Sequence, residues 1–314
     1  MGNKELSIII PVYNEQENLR PLFSELSGVL EKNRLSAEVI FVNDGSTDKS
    51  ETILAEICEK NSNTKTLSFT RNFGQTAAIS AGIRESSGDL IITMDADMQN
   101  DPADIPRLIE EINDTCDVVS GWRKKRKDSL FSRKLPSCLA NYLISFMTGI
   151  KLKDYGCTLK VYRSHFLRKV DICGEMHRFL PAILGYMGAR IKEVPVNHRP
   201  RQRGVSKYGM SRIFKVVLDL LTVKFMGEYI SKPIYLFGGT AFFFLFFSGI
   251  FSAITLYKKF FEGIFVKDQP LFLVAILFAI IGVQFALLGL LAEILVRTYF
   301  KINDRPNYLI KSRK

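Results

Sequence analysis

The segment Asp95-Ala96-Asp97-Met98-Gln99 directly follows an apolar run at residues 90–94. Side chains at i and i+2 share a face within a strand, but in the turn past its end they can diverge, so that one carboxylate holds a hard divalent cation while the other meets a neighbouring ligand group. Mg2+ is typically bound in this way, by one or two carboxylates plus the phosphates of a substrate. An acidic pair in a plain surface turn looks the same in isolation. Here three further polar clusters close apolar runs: Tyr13-Asn14-Glu15, Asn43-Asp44-Gly45-Ser46 and Arg71-Asn72-Phe73-Gly74. Each also has a structural use: Asn14 suits a helix N-cap, and Asp44 before Gly45 suits a turn.

Such clusters need a scaffold that brings them together. Short apolar runs at 6–12, 38–42, 65–69, 89–94 and 117–120 read as strands. Between them, residues 15–30, 49–60, 76–84 and 105–112 carry apolar side chains at helical spacing. Strands alternating with helices predict an α/β fold, a mostly parallel sheet covered on both faces. Ligands of such sheets bind outside the carboxyl ends of the strands, where all four polar clusters sit. Neither GxGxxG nor GxxxxGK[ST] is present, which disfavours a dinucleotide enzyme and a P-loop ATPase.

The 314 residues allow about two domains at roughly 150 residues each. The net charge of +11 averages unlike parts: residues 1–120 hold 10 Lys and Arg against 21 Asp and Glu, and residues 121–314 carry +22. Segment 121–153 has nine basic residues and one acid, and 197–232 has eight and two. Two basic segments behind an acidic domain favour a polyanion, and we assign it to membrane and phosphate, not nucleic acid. Residues 233–257 and 269–292 are free of formal charge over 25 and 24 positions. About 20 apolar helical residues span a bilayer. Two spans, at about 233–257 and 270–296, are therefore expected.

The tail carries Arg297, Lys301, Arg305, Lys311, Arg313 and Lys314 against Lys258, Lys259 and Lys267 in the connecting loop. By the excess of Lys and Arg on the cytoplasmic side, residues 1–231 and 297–314 are placed in the cytoplasm. The expected layout is a catalytic domain over 1–231, a membrane region over 232–296 and a basic tail over 297–314. Amphipathic stretches near 129–150 and 209–229 read as interfacial helices. Pro11, Asn14 and Glu15 interrupt the first apolar run, so it is not a signal peptide. Cys58, Cys116, Cys138, Cys157 and Cys173 are odd in number and lack CxxC spacing, which fits free thiols in a reduced compartment. His165, His177 and His198 form no metal-ligand pattern and read as structural or surface residues. Whether the chain self-associates is left open by its sequence.

The set 10–15 (Ile-Pro-Val-Tyr-Asn-Glu), 42–48 (Val-Asn-Asp-Gly-Ser-Thr-Asp) and 95–99 resembles the family 2 inverting glycosyltransferases of GT-A fold. Residues 71–75 (Arg-Asn-Phe-Gly-Gln), and 204–208 (Gly-Val-Ser-Lys-Tyr) ahead of two spans, narrow the resemblance to the polyprenyl-phosphate sugar transferases. That group includes dolichol-phosphate mannose synthase, the bactoprenol glucosyltransferases and the aminoarabinose transferase of lipid A modification. The resemblance covers essentially the whole chain. It implies a nucleotide-sugar donor, a polyprenyl phosphate acceptor, and Mg2+ or Mn2+ as cofactor.

Carried over by motif, Pro11, Tyr13 and Glu15 contact the base, with Asp44 near base or ribose. Asp97 and Gln99 meet the metal, and Asp95 meets the nucleotide sugar. Arg123 stands near the diphosphate, and Arg201 and Lys207 clamp phosphate. Arg133 and Ser137 bind the phosphate of the lipid acceptor. Asp154 falls where the family keeps an acid near the acceptor, to orient its phosphate or act as a weak base. A UDP donor is preferred, with glucose favoured and with mannose or aminoarabinose as alternatives. A processive polysaccharide synthase is disfavoured because Trp122 follows Gly121, so no QxxRW motif occurs. A non-catalytic membrane scaffold is disfavoured because Asp95, Asp97 and Gln99 are all retained.

Overall fold

The computed structural model describes residues 5–124, 135–200, 211–230 and 232–302. In chain order the elements are β1 (Leu6–Val12), α1 (Leu19–Lys32), β2 (Ala37–Asn43), α2 (Ser50–Lys60), β3 (Thr64–Ser68), α3 (Gln75–Glu85), β4 (Leu90–Thr93), α4 (Ile105–Glu110) and β5 (Val118–Trp122). They continue with α5 (Leu135–Thr148), β6 (Lys160–Arg163), α6 (Ser164–Leu167), α7 (Leu180–Tyr186), β7 (Ile191–Pro195), α8 (Ser211–Lys224), α9 (Pro233–Phe261) and α10 (Pro270–Ile302).

The sheet has the order β3-β2-β1-β4-β6-β5-β7. Every neighbouring pair is parallel except those made by β6, which runs against β4 and β5. The sequence predicted five of these strands and missed β6 and β7. β6 is four residues with a cation at each end, and β7 is a sheet-edge strand closing in a proline, where proline is tolerated. Neither shows a clean apolar run.

Alternation along β1 splits the core in two. Leu6, Ile8, Ile10 and Val12 pack with Leu19, Leu22 and Leu26 of α1, Leu54 of α2 and Leu108 of α4. Ile9 points the other way, to a cluster with Ile79 and Ile83 of α3, Leu184 of α7, Ile144 of α5 and Leu220 and Val223 of α8. Each fully buried aliphatic side chain contributes about 1.5–3 kcal/mol. α5 and α8 thus bury one face in this core, while Tyr142, Phe146, Leu218 and Leu221 remain exposed.

α1 begins at Leu19, four residues later than expected. Asn14 does not cap it: its backbone has φ of 54°, and its Oδ1 accepts from Thr47 N at 2.8 Å. Asn18 occupies the cap position, with its Nδ2 donating to Glu15 Oε2 at 2.6 Å.

The chain divides into two compact units at Lys224 and Phe225, ahead of the boundary expected at 231. In the second unit, α9 and α10 run 29 and 33 residues, each past the C-terminal end of its uncharged segment. Both are long and apolar enough to cross a membrane. They pack on one another through small residues, which let backbones approach closely. Gly282 sits against Leu245 and Gly289 against Phe237, and Ser248 Oγ donates to Ala275 O at 2.8 Å. Phe242, Phe243, Leu273 and Leu291 are among the exposed apolar side chains of this pair.

Candidate active site

The ends of β1, β2, β4 and β5 and the approach to β6 surround a cavity of about 280 Å3. Pro11, Tyr13, Glu15, Asp44, Asp95, Asp97, Gln99 and Arg123 all line it. These residues come from separate strand ends, and the parallel strands bring them to one rim. Asp154 stands behind the lining. Arg133, Arg201 and Lys207 lie outside the described residues. Ser137 falls in the first turn of α5, and its side chain lies outside the described part.

At the end of β2, buried Asp44 clamps the loop after β3. Its Oδ1 accepts from Phe73 N at 2.7 Å and its Oδ2 from Gly74 N at 3.0 Å. Gly45 follows with φ of 65°, and a Cβ there would collide with the backbone of Arg71 and Asn72. Glycine is required at this crossing both for the left-handed turn and for the close approach. Asp44 therefore lines the cavity and also fixes the 71–74 loop across it.

At the end of β4 the two carboxylates diverge. Asp95 is held from two sides: Gln75 Nε2 donates to its Oδ1 at 2.7 Å, and Thr158 Oγ1 to its Oδ2 at 2.7 Å. Asp97 accepts from Gln99 N at 3.1 Å across a turn in which Met98 has φ of 62°. Asp95 is thus tied to α3 and to the segment before β6, while Asp97 and Gln99 share a tight turn at the cavity wall.

Arg123, just past β5, is closed onto Asp154. Its Nε donates to Asp154 Oδ2 at 2.7 Å and its Nη2 to Oδ1 at 2.8 Å. Asp154 is 4% exposed, and Gly156 N also donates to its Oδ1, at 3.2 Å. Burial opposes the charge on Arg123, but the hydrogen bonds and charge of Asp154 outweigh it and raise the guanidinium pKa. Lys153 N and Asp154 N donate in turn to Glu193 of β7. Asp154 therefore faces Arg123 and stands behind it, not at the cavity surface.

Three further cavity residues escaped the sequence. Lys160, 2% exposed at the start of β6, donates to Tyr155 O at 3.2 Å and to Cys157 O. Burial lowers its pKa. A lysine at the head of an apolar pair was the available signal, but it reads equally well as a surface charge. His177 and Arg178 also line the cavity. His177 is 6% exposed, with Nδ1 2.7 Å from Thr76 Oγ1. Of the structural or surface reading of His177, the structural half holds and the surface half does not: the ring is buried and held by Thr76, at the wall of the cavity. The cysteines Cys58, Cys116, Cys157 and Cys173 are free, and burial pushes the Cys157 thiol up to about 11. At that value Cys157 is an inert structural thiol at neutral pH.

Residues 7–171 match the family model described as glycosyl transferase family 2. The chain is a family 2 glycosyltransferase. It is 41% identical to the dodecaprenyl-phosphate galacturonate synthase of Rhizobium johnstonii, over 98% of this chain and 92% of that protein. That similarity places the glycosyltransferase in the polyprenyl-phosphate type. Solved structures share its fold. Glucosyl-3-phosphoglycerate synthase of Mycobacterium tuberculosis, bound to Mn2+, UDP and glucosyl-3-phosphoglycerate, matches with a TM-score of 0.56 at 15% identity, over 71% of this chain and 80% of that one. The same enzyme with Mn2+, UDP-glucose and phosphoglyceric acid matches at 0.56 and 17% identity, over 70% and 80%. The glycosyltransferase thus has the GT-A-like α/β fold expected from its motifs.

Proposed function

We propose that this enzyme transfers a uronic acid, galacturonate, from a UDP-sugar to a polyprenyl phosphate, with inversion and with a divalent cation. The observation that carries the transfer chemistry is the divergence of Asp95 and Asp97 beside Arg123 in one cavity. The sugar follows the 41% identical relative, which is named for galacturonate, in place of the glucose favoured from sequence. The UDP donor rests on the family motifs.

The residues present fit a hard cation. Asp97 offers a carboxylate and Gln99 an amide oxygen at the cavity wall. Among the described residues no trio of His, Cys, Asp or Glu gathers around a metal position. That pattern suits Mg2+ or Mn2+, whose remaining ligands are phosphate oxygens and water. When bound, the cation would neutralise charge on the departing diphosphate.

Pro11, Tyr13, Glu15 and Asp44 take the nucleoside end. Arg123, kept cationic and aimed by Asp154, takes up charge on the diphosphate as the bond to the sugar breaks. Arg201 and Lys207 add to that clamp, and Arg133 and Ser137 receive the acceptor phosphate. A phosphate monoester has a second pKa near 6, so the acceptor is already largely a dianion. One of its oxygens forms the new bond at the anomeric carbon while the bond to the diphosphate breaks on the opposite face, which inverts the centre. No strong base is needed. α9 and α10 anchor the chain in the membrane that holds the lipid, with residues 1–231 and 297–314 on the cytoplasmic side of a bacterial inner membrane.

The test is a donor screen in membranes containing the full chain and polyprenyl phosphate. Labelled UDP-galacturonate, UDP-glucose, GDP-mannose and UDP-aminoarabinose are offered in turn. Label from UDP-galacturonate should enter extractable lipid and be lost with EDTA. Transfer of a neutral hexose with none of the uronate would reject the sugar assignment.

A further inference from the structure

We propose that Thr158 is a positioning residue for the metal-bearing turn: its hydroxyl ties Asp95 to Asn100 and so holds the shape in which Asp97 and Gln99 are offered to the cation. The inference rests on the divalent cation of the reading above.

Thr158 lies between Asp154 and β6 and lines the cavity. Its Oγ1 donates to Asp95 Oδ2 at 2.7 Å and accepts from Asn100 Nδ2 at 2.8 Å. Chemistry sets the direction of both bonds. An amide NH2 group only donates and a carboxylate only accepts, so the hydroxyl accepts from one and donates to the other. Asp95 and Asn100 are the two ends of segment 95–100, with Asp97 and Gln99 between them. One hydroxyl thus closes this segment into a loop, from a position 58 and 63 residues along the chain from its two ends.

The segment has to be held in this shape. Met98, at its centre, has φ of 62°, a backbone region that residues with side chains rarely adopt. Such a conformation persists where the surroundings over-determine it. Here the Met98 side chain is buried in the core, Gln99 N donates to Asp97 Oδ1, and Gln99 O accepts from Arg199 N at 3.0 Å. Thr158 adds the link between the two ends, and it is itself anchored. Its carbonyl accepts from Thr93 Oγ1 at 2.7 Å, and Lys160 Nζ draws in the carbonyls of Tyr155 and Cys157 just ahead of it. Thr93 ends β4, the strand that carries the turn. The hydroxyl is therefore fixed against that strand before any ligand arrives. A side chain that only filled space here would need no hydroxyl, whereas this one has a partner on each side. Groups that hold the ligands of a metal in place are typically worth about 10- to 100-fold in its affinity.

The experiment titrates Mn2+ into the full-length protein in the presence of UDP, by calorimetry, and measures transfer separately across Mn2+ concentrations. T158V keeps the shape of the side chain and removes the hydroxyl, and T158S keeps the hydroxyl. T158V should bind Mn2+ about 10- to 100-fold more weakly, and T158S should stay within about threefold of wild type. Excess Mn2+ should restore part of the turnover of T158V, with KM for the UDP-sugar then within about threefold of wild type. N100A opens the same loop at its other end and should weaken Mn2+ binding too. T158V/N100A should be at most about threefold worse than T158V, because both changes break one linkage. If T158V does not fold, N100A and T158S carry the test. Wild-type Mn2+ affinity in T158V or N100A overturns the proposal, as do equal losses in T158S and T158V or losses that multiply in the double variant. A donor KM raised at saturating Mn2+ with unchanged Mn2+ affinity overturns it as well. If the wild-type protein binds no Mn2+ beside UDP and keeps its turnover in EDTA, the cation reading falls and this inference falls with it.

Discussion

Arg123 closes both Nε and Nη2 on the carboxylate of Asp154, at 2.7 and 2.8 Å, from positions 31 residues apart. The pair joins the end of β5 to the segment ahead of β6. An acid expected at the acceptor is thus the support of Arg123, the cation proposed to meet the diphosphate.

Asp154→Asn keeps the shape of that support and removes its charge. We expect kcat to fall about 100-fold, comparable to losing one electrostatic donor at a transition state. Stability should drop by about 3 kcal/mol, because a buried ion pair loses one member. The pH–rate profile should keep its shape. Loss of its acid limb in the variant would instead make Asp154 a general base.

Asp97→Ala should reduce transfer by about 1,000-fold or more while leaving thermal unfolding close to wild type. Mn2+ binding in the presence of UDP, followed by calorimetry, should weaken in parallel. Full activity after exhaustive EDTA treatment would remove the cation from the reaction.

Asp44 clamps the 71–74 loop, so Asp44→Ala leaves the N–H groups of Phe73 and Gly74 without that partner. The expected cost is about 1–3 kcal/mol of stability, with a raised KM for the nucleotide sugar. Gly45→Ala displaces the same loop by collision and should raise the same KM. Unchanged donor KM in both variants would detach this loop from donor binding.

Glu38 lies at the other end of the sheet and reports on stability. Burial disfavours its ionised form, but Lys65, Ser7 and Ser87 all donate to it and hold its pKa down from 4.5 to about 2. A pKa depressed by folding stabilises the folded state above the unfolded value and loses that contribution as pH falls toward the folded one. Glu38→Gln should therefore cost about 1–2 kcal/mol at pH 7, the full shift being discounted because its Lys65 partner is solvent-screened. Unfolding curves of the solubilised protein from pH 7 to 3 should show the gap between variant and wild type shrinking below about pH 4.5. A gap of constant size would mean that the ionised form is not what stabilises.

The strand ends were legible because β1, β2 and β4 are uninterrupted buried runs that stop at polar clusters. The acidic pair after β4 was legible for the same reason. β6 was not, because Lys160 is a buried charge whose partners are carbonyls of the preceding turn, and no side-chain pattern signals a carbonyl. Asn14 misled because the helix-capping preference is local, whereas its actual partner, Thr47, is contributed by the loop between β2 and α2. His177 and Arg178 were missed because their place at the cavity depends on Thr76, a contact spanning 101 residues.

β6 runs opposite to β4 and β5. Residues 154–158 therefore reach the rim on the way into a strand, whereas the clusters after β1, β2 and β4 reach it on the way out. The two sides of the site are separate stretches of chain with separate tolerances. An insertion ahead of β6 can reshape one side and leave the register of the parallel strands untouched. One scaffold can thus change what it accepts during evolution while keeping the way it docks a nucleotide.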